Sequence, residues 1–150
     1  MKISTKGRYG LRAFIDLARY SEEGPVSINS IAQRQELSEG YLEQLMAKLK
    51  KAGLVKSLRG SGGGYILAQD ASEVSVGDVL RALEGNMELV SCAAFRDVKP
   101  CGLEKTCVTK YVWQKINESI LSTIDEIKID TLVEQSRREG GNDNESNLFG

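Results

Sequence analysis

The spacing of apolar residues predicts a helix over residues 6–20. Its apolar positions recur at i, i+3, i+4 and i+7, which puts them on one face of a helix. Gly24 and Pro25 then end the pattern, because these two residue types interrupt helices. The predicted core stripe of this first helix consists of Leu11, Phe14, Ile15 and Ala18.

Two more helices are predicted on either side of a turn at Glu36 and Leu37. Ser27 is a candidate N-cap for a short helix, and Ser38 is a candidate N-cap for a longer helix over residues 39–52. Two helices joined by a tight turn, the second with a charged outer face, are typical of a helix-turn-helix. The short helix includes Ile31, Ala32 and Gln33, and the longer helix has a core stripe of Leu42, Leu45, Met46 and Leu49 followed by Gly53 as its C-terminal glycine.

Residues 54–58 and 65–68 predict two strands, and the glycine-rich residues 60–64 between them predict the turn. A hairpin directly after the second helix of a helix-turn-helix is a wing. The turn does not suit a P-loop, because no helix follows it and no Gly-Lys-Ser/Thr sequence closes it. A slim tip that carries Arg59 suits a DNA minor groove. The alternative is a flexible turn without a DNA contact, since turn glycines need no function.

The second half of the chain predicts a short capped helix and one long helix. Ser75 and Asp78 form a capping pattern for a helix over residues 76–85, and Gly85 ends it. The longest periodic segment is 108–127, and no helix remains in the chain to cover its apolar stripe. Pairing with a second copy is the economical solution, and packing on its own domain is the alternative. The two stripes consist of Val76, Val79, Leu80 and Leu83, and of Val112, Trp113, Ile116, Ile120, Ile124 and Ile127.

These elements predict a mainly α fold with a small β-hairpin, namely a winged helix-turn-helix DNA-binding domain plus a long dimerisation helix. The winged domain is expected over residues 1–85 and a cysteine-bearing loop over 86–107. Residues 108–136 are expected to form the dimerisation helix and a short C-terminal helix. Residues 137–150 are polar and are expected to be a disordered tail.

Charge is distributed unevenly along the chain. Residues 1–60 carry 11 Lys and Arg against 6 Asp and Glu, and residues 61–150 carry 9 against 15. A basic front half suits a polyanion such as DNA, and chance scatter of solvated charge is the alternative. No apolar run is long enough to span a membrane, and no signal peptide is recognisable at the start. We therefore expect a cytosolic protein without a membrane partner, whose thiols stay reduced.

All three cysteines, Cys92, Cys101 and Cys107, lie in one short segment, and the chain has no histidine. An odd number of cysteines in the cytosol suits metal ligands or sensors better than disulfide bridges. Zinc is one possible occupant, held by three thiolates and one oxygen or water. A thiol switch at Cys101 is another, with lysines nearby to lower its pKa. An enzyme is disfavoured, because no paired carboxylates and no nucleophile beside a base are evident.

The sequence resembles the IscR, CymR and NsrR group of bacterial winged-helix transcription regulators. The matching stretches are MKISTKGRYGL, SIAQ, LSEGYLEQL, AGLVKSLRGSGGGYIL and CGLEKTCVTKYVW, which together span about residues 1–115 in order. The resemblance implies a homodimeric repressor or dual regulator that binds a two-fold symmetric operator in double-stranded DNA. It also implies a response to iron–sulfur status, redox state or NO.

The helix over residues 39–52 is the candidate reader of the major groove. Gln44 has the donor and acceptor that suit adenine, whereas Lys48 suits a phosphate or guanine. The resemblance implies that Glu43 selects between classes of DNA site; otherwise it is an exposed glutamate in i,i+4 pairs. The residues expected to contact DNA are Lys2, Lys6, Arg8, Ser38, Tyr41, Glu43, Gln44, Lys48, Arg59 and Ser61.

The resemblance further implies that Cys92, Cys101 and Cys107 ligate an iron–sulfur cluster, with a 2Fe-2S cluster favoured over a 4Fe-4S cluster. Where IscR-type relatives usually have a ligand histidine, this chain has Lys110, and where some NO-sensing relatives use an acidic residue it has Arg8. The fourth ligand is therefore open. Its candidates are Glu104, Asp97, Ser91, Glu88, a carboxylate of the partner chain and an exogenous thiol.

A second function is compatible with the same resemblance. The N-terminal stretch is close to that of CymR, which implies a repressor of cysteine or sulfur metabolism. Such a repressor would take its signal from a partner enzyme, cysteine synthase, or from a thiol switch. The cysteine segment argues against this alternative, because signalling through a partner enzyme needs no cluster.

Overall fold

The computed structural model describes residues 2–88, 102–103 and 106–141 of the 150-residue chain. Six α-helices, two short 3-10 helices and two strands lie in these residues, and the strands form one antiparallel hairpin. The predicted fold class, mainly helical with a small hairpin, is confirmed. The elements are α1 (Thr5–Tyr20), α2 (Ile28–Gln35), α3 (Glu39–Lys51), β1 (Val55–Leu58), β2 (Gly64–Leu67), α4 (Val76–Glu84), α5 (Thr109–Glu126) and α6 (Ile129–Gly141).

The helix-turn-helix forms as predicted, because its helix ends carry the expected capping residues. The Ser27 hydroxyl oxygen accepts a hydrogen bond from the Ser30 N–H at 3.1 Å, and the Ser38 oxygen accepts one from the Tyr41 N–H at 3.2 Å. Each bond satisfies a backbone donor that the first turn of a helix leaves unpaired. Glu36 makes the turn in the left-handed conformation, with φ 56°. The four predicted core residues of α3 are all buried.

Helix α1 buries the predicted stripe only in part. Phe14 and Ala18 are buried as predicted, whereas Leu11 and Ile15 are only partly buried against the core. The core face of α1 also includes Gly7 and Gly10, which lie against side chains of α4. A Cβ on Gly10 would lie 2.3 Å from Leu83 Cδ1, so a larger residue there would force the Leu83 side chain to move. The prediction missed the two glycines because it counted apolar side chains and gave glycine no packing role.

The wing is joined to the segment that precedes α2. Its strands pair from Val55 with Leu67 to Leu58 with Gly64. Tyr65 and Val26 then exchange two backbone hydrogen bonds, at 2.9 and 2.8 Å. The hairpin therefore gains a third, very short extended partner, which holds the wing beside the helix-turn-helix.

Helices α5 and α6 pack on the winged domain through the connection between them. The Val76 N–H donates to the Ile127 carbonyl at 2.8 Å, and the Ile129 N–H donates to the Val74 carbonyl at 2.9 Å. Ile129 and Val133 of α6 are buried in the common core. No helix in the described part of the chain is long and apolar enough to span a membrane.

Helix α6 continues to Gly141, so the predicted start of the tail at residue 137 is too early. The polar composition misled the prediction, because charged residues here pair with one another. Arg137 forms ion pairs with Glu22 on the preceding domain and with Glu134 one turn back. Such pairs stabilise a helix that has few apolar residues. Residues 142–150 of the expected tail lie outside the described residues.

Candidate DNA-binding surface and cysteine segment

The outer face of α3 is polar and accessible. Glu43, Gln44 and Lys48 are exposed, while the other face of the helix is buried in the core. Ser38 is also exposed at the N-cap. This arrangement leaves an amide, a carboxylate and an ammonium group free to approach base edges and phosphates.

Tyr41 has a different environment from its neighbours on α3. Its hydroxyl is buried and has no hydrogen-bond partner among the described residues. Its ring packs edge-to-face on Tyr9 of α1, with ring centroids 6.4 Å apart. In this conformation Tyr41 braces α3 against α1, and its hydroxyl points away from solvent.

Arg59 and Ser61 are exposed at the tip of the wing. The tip is a tight turn in which the Gly63 N–H donates to the Gly60 carbonyl at 3.0 Å. A Cβ on Gly63 would lie 2.3 Å from the Leu58 carbonyl oxygen. Glycine is therefore required for the narrow turn that presents Arg59.

The N-terminal end of α1 adds positive charge to the same half of the chain. Lys2, Lys6 and Arg8 are exposed there. The end of the helix is capped by Glu84 from the last turn of α4. One carboxylate oxygen of Glu84 accepts hydrogen bonds from the Ser4 N–H at 2.8 Å, the Ser4 hydroxyl at 2.7 Å and the Gly7 N–H at 3.1 Å.

Three residues that the sequence analysis did not select also lie on or beside these elements. Lys50 Nζ donates to the Ser57 hydroxyl at 2.8 Å and links α3 to β1, where Lys56 is exposed. Asn29 Nδ2 donates to Glu39 Oε1 at 2.7 Å and links α2 to the first turn of α3. The run of lysines at the end of α3 was a signal for Lys50, and nothing local marked Lys56 or Asn29.

Among the cysteines the structure describes only Cys107, which lies just before α5 and is partly exposed. Its sulfur is 3.0 Å from the Thr109 hydroxyl. The pKa of the Cys107 thiol is lowered, first by the Thr109 hydroxyl and then by the N–H groups of Lys110 and Thr109 and by the Lys110 charge. These groups favour the thiolate, which is the form that binds metal.

Of the other predicted ligands, only Glu88 is among the described residues. Cys92 and Cys101 lie outside the described residues, as do the fourth-ligand candidates Ser91, Asp97 and Glu104. Glu88 is described; its carboxylate accepts a hydrogen bond from Asn86 Nδ2 at 3.1 Å. Within the described ranges, the structure brings together no group of three or more His, Cys, Asp or Glu that could hold a metal.

The N-terminal half of α5 presents an uncovered apolar face. Val112 is 49% exposed and Ile116 is 41% exposed, although both are large apolar residues. The C-terminal half packs on the winged domain, where Arg81 pairs with Asp125 at 2.6 Å. The predicted stripe is therefore divided: its first half faces outward and its second half is partly buried.

Comparisons with known proteins agree with this architecture. A family model described as Rrf2, iron-dependent transcriptional regulator, matches residues 3–135. The regulator IscR of Serratia proteamaculans (strain 568) is 40% identical over 133 residues, which are 89% of this chain and 79% of that protein. The solved structure of T. potens IscR is 47% identical with a TM-score of 0.73, covering 91% of this chain and 88% of that one.

A further solved structure is similar over almost all of its length. CymR, the global cysteine regulator of B. subtilis, is 41% identical with a TM-score of 0.72, covering 90% of this chain and 98% of that one. These relatives regulate transcription and are not enzymes, which agrees with the prediction for this chain. The winged helix-turn-helix and the match over residues 3–135 together establish that the chain belongs to the Rrf2 family of transcription regulators.

Proposed function

We propose that the chain is a cytosolic, homodimeric regulator that binds a two-fold symmetric DNA operator and senses iron–sulfur status, redox state or NO. The sensor is a cluster held by Cys92, Cys101 and Cys107. The observation that carries the DNA-binding part is the exposed polar face of α3 beside a glycine-rich wing. The family membership and the IscR relatives support the cluster.

Helix α3 reads the major groove with the residues of its outer face. Gln44 is suited to adenine, and Lys48 is suited to guanine or to a phosphate. Glu43 accepts hydrogen bonds only and is repelled by phosphates, so it disfavours some sites and tolerates others. Arg59 enters the minor groove from the wing tip, with Ser61 next to it.

Residues near the start of α1 contribute affinity without reading sequence. Lys2, Lys6 and Arg8 are exposed there and can pair with backbone phosphates. Because salt weakens such contacts, their share of the binding free energy falls as ionic strength rises. Ser38 lies on the exposed surface of α3, and Tyr41 supports that surface by packing α3 against Tyr9 of α1.

The second copy of the chain covers the exposed half of α5. A monomer seldom leaves a row of large apolar residues on a helix in water, because burying each one stabilises the assembly. Pairing two α5 helices about a two-fold axis buries Val112, Trp113 and Ile116 from both chains. The same axis presents two copies of α3 to a symmetric operator.

The described part of the sensor segment fits a thiolate-bound cluster. Cys107 is accessible and its surroundings favour the thiolate form. When bound, a cluster supplies iron that exchanges electrons or reacts with NO. A 2Fe-2S cluster is favoured over a 4Fe-4S cluster, and the fourth ligand is a weak or exogenous group, since the chain has no histidine. Cys107 leads directly into α5, so a change at the sulfur acts on the start of the dimer helix.

Spectroscopy on anaerobically purified protein tests the sensor. The wild type is expected to show visible charge-transfer bands with iron and acid-labile sulfide in equal amounts, and Cys101→Ala and Cys107→Ala are expected to lose them. The counts of iron and sulfide per chain give the nuclearity. Zinc in place of iron, or a colourless wild type that cannot be reconstituted, would refute the cluster.

A CymR-like repressor is the second candidate, favoured by the similarity to the global cysteine regulator of B. subtilis. In that case DNA binding responds to cysteine synthase or to thiol oxidation and not to iron. Adding purified cysteine synthase to the protein–DNA complex distinguishes the two. A shift in DNA affinity by the enzyme, in protein that lacks iron, would favour the repressor of sulfur metabolism.

A further inference from the structure

A buried carboxylate on α1 binds the last two residues of α2. The side chain of Asp16 is only 2% exposed. It accepts hydrogen bonds from Arg34 Nη2 at 2.7 Å, Arg34 Nε at 2.9 Å and Gln35 Nε2 at 2.9 Å. A buried charge is strongly destabilising unless it is paired in this way, so the three bonds hold α1 and the end of α2 together.

The same network fixes the backbone at the end of α2. Arg12 Nη2 donates to the Gln35 carbonyl oxygen at 3.0 Å, and Arg12 Nε donates to the Gln35 side chain at 3.2 Å. Gln35 is the last residue of α2, where a helix leaves its carbonyls without partners inside the helix. Gln35 is therefore held by its main chain and its side chain at the same time.

The turn between the two helices starts immediately after this fixed residue. Glu36 has φ 56°, a left-handed conformation that side chains other than glycine and asparagine seldom adopt. Such a conformation persists only where the surroundings impose it. Helix α3 begins three residues later at Glu39, so the position of Gln35 sets the direction in which α3 leaves the turn.

Aromatic contacts extend the network to α3 itself. The Arg12 guanidinium lies 5.4 Å from the centre of the Tyr9 ring. The same Tyr9 ring packs edge-to-face on Tyr41 of α3. On the other side, the Arg34 guanidinium lies 3.9 Å from the centre of the Tyr20 ring. Both arginines that fix the end of α2 are thus themselves held in place by α1.

From this geometry we propose that Asp16 is a positioning residue for DNA recognition. Asp16 is too buried to touch DNA, and it acts through Arg34 and Gln35 on the angle at which α3 is presented. It therefore contributes to discrimination between sequences and leaves general attraction to phosphates unchanged. The inference rests on the proposed DNA-binding function of α3.

Asp16→Asn tests the role, because asparagine has nearly the same shape and lacks the charge. The probes are a duplex that the wild type selects from a library of random duplexes, and a scrambled duplex of equal length and composition. We expect about tenfold weaker binding to the selected duplex, the size of one lost base-reading contact. Binding to the scrambled duplex should change less than about twofold, because Lys2 and Lys6 contact phosphates independently of α3.

Ser75→Ala is the matched control. It removes a buried cap bond at the start of α4, to the Asp78 N–H at 3.0 Å, and so lowers stability without removing a bond to α2 or α3. If loss of stability alone weakened recognition, this variant would change the ratio of the two affinities as much as Asp16→Asn does. The positioning role requires that Ser75→Ala leave the ratio unchanged at a temperature where both variants are folded.

Arg34→Lys serves if Asp16→Asn does not fold. Lysine keeps the charge but cannot make the paired bonds of a guanidinium, so the same direction of change is expected. An equal loss on both duplexes, or full retention of the ratio, overturns the inference about Asp16. If the wild type selects no duplex from the library, the proposed DNA-binding function is overturned as well. If the wild type selects a duplex and the variants prefer it equally, only the inference about Asp16 is overturned.

Discussion

At the scale of single residues, Glu84 shows how a distant side chain completes a local structure. Its carboxylate caps the N-terminus of α1 across a separation of 80 residues in the sequence. Gly7 makes the approach possible, because a Cβ there would lie 2.2 Å from the Glu84 Oε1 atom. The start of α1, with its exposed lysines, is therefore positioned by the end of α4.

Glu84→Ala should lower the free energy of unfolding by about 1–2 kcal/mol, the usual cost of losing a helix cap. Urea unfolding followed by circular dichroism measures the change. Glu84→Gln retains an oxygen acceptor in nearly the same place and should lose less. Equal stability of Glu84→Ala and the wild type would contradict the capping role.

The contacts of Glu84 and Asp16 also mark the limit of what the sequence could predict. The caps at Ser27, Ser38 and Ser75 lie within three residues of the donors they satisfy, and all three predictions are confirmed. By contrast, Glu84 caps Ser4 and Gly7, and no local sequence pattern relates residues so far apart in the chain. The outward face of α3 followed from its core stripe, whereas the inward direction of the Tyr41 hydroxyl depends on Tyr9 of another helix.

At the scale of elements, the wing depends on a close contact with the segment before α2. A Cβ on Gly64 would lie 2.4 Å from the Val26 carbonyl oxygen, which is a backbone atom and cannot move aside easily. Gly62, two residues earlier, has open space around its Cβ position among the described atoms. The glycines of the tip therefore differ in role although they look alike in the sequence.

Gly64→Ala should destabilise the protein by about 1–3 kcal/mol, the range for inserting a group into a packed site. It should also speed hydrogen exchange at the Tyr65 amide, which donates to Val26. Gly62→Ala is the matched control and should leave both quantities near the wild-type values. The assignment fails if the two variants behave alike.

The ends of the elements were predicted less well where pairing between elements decides them. Helix α6 has few apolar residues beyond Val133, and its composition suggests a tail from residue 137 onwards. Its last turns are stabilised by the ion pair of Arg137 with Glu22, which lies on a different part of the fold. The α1 stripe was predicted only in part for a related reason, since the contact with α4 places Gly7 and Gly10 on the core face.

At the scale of the whole molecule, the apolar face of α5 is the feature that the single chain leaves incomplete. Ile116→Lys should convert the proposed dimer to a monomer, because two buried ammonium groups would meet near the two-fold axis. Analytical ultracentrifugation measures the change in mass. Cooperative binding to a symmetric operator should be lost with it.

Glu118→Lys provides the control for this substitution. Glu118 is exposed and lies about 200° around the helix from Ile116, given 100° per residue. The same side chain introduced there should leave the dimer intact. If Ile116→Lys also remains dimeric, the two chains associate through a different surface.

The contacts that hold α5 and α6 on the winged domain determine the order of folding and association after synthesis. The two backbone hydrogen bonds around Val76 and Ile129, and the Arg81–Asp125 pair, all lie within one chain. Docking of the C-terminal helices is thus a unimolecular step whose rate does not depend on protein concentration. The proposed pairing of two chains would then be a later, concentration-dependent step between partners that already have their tertiary structure.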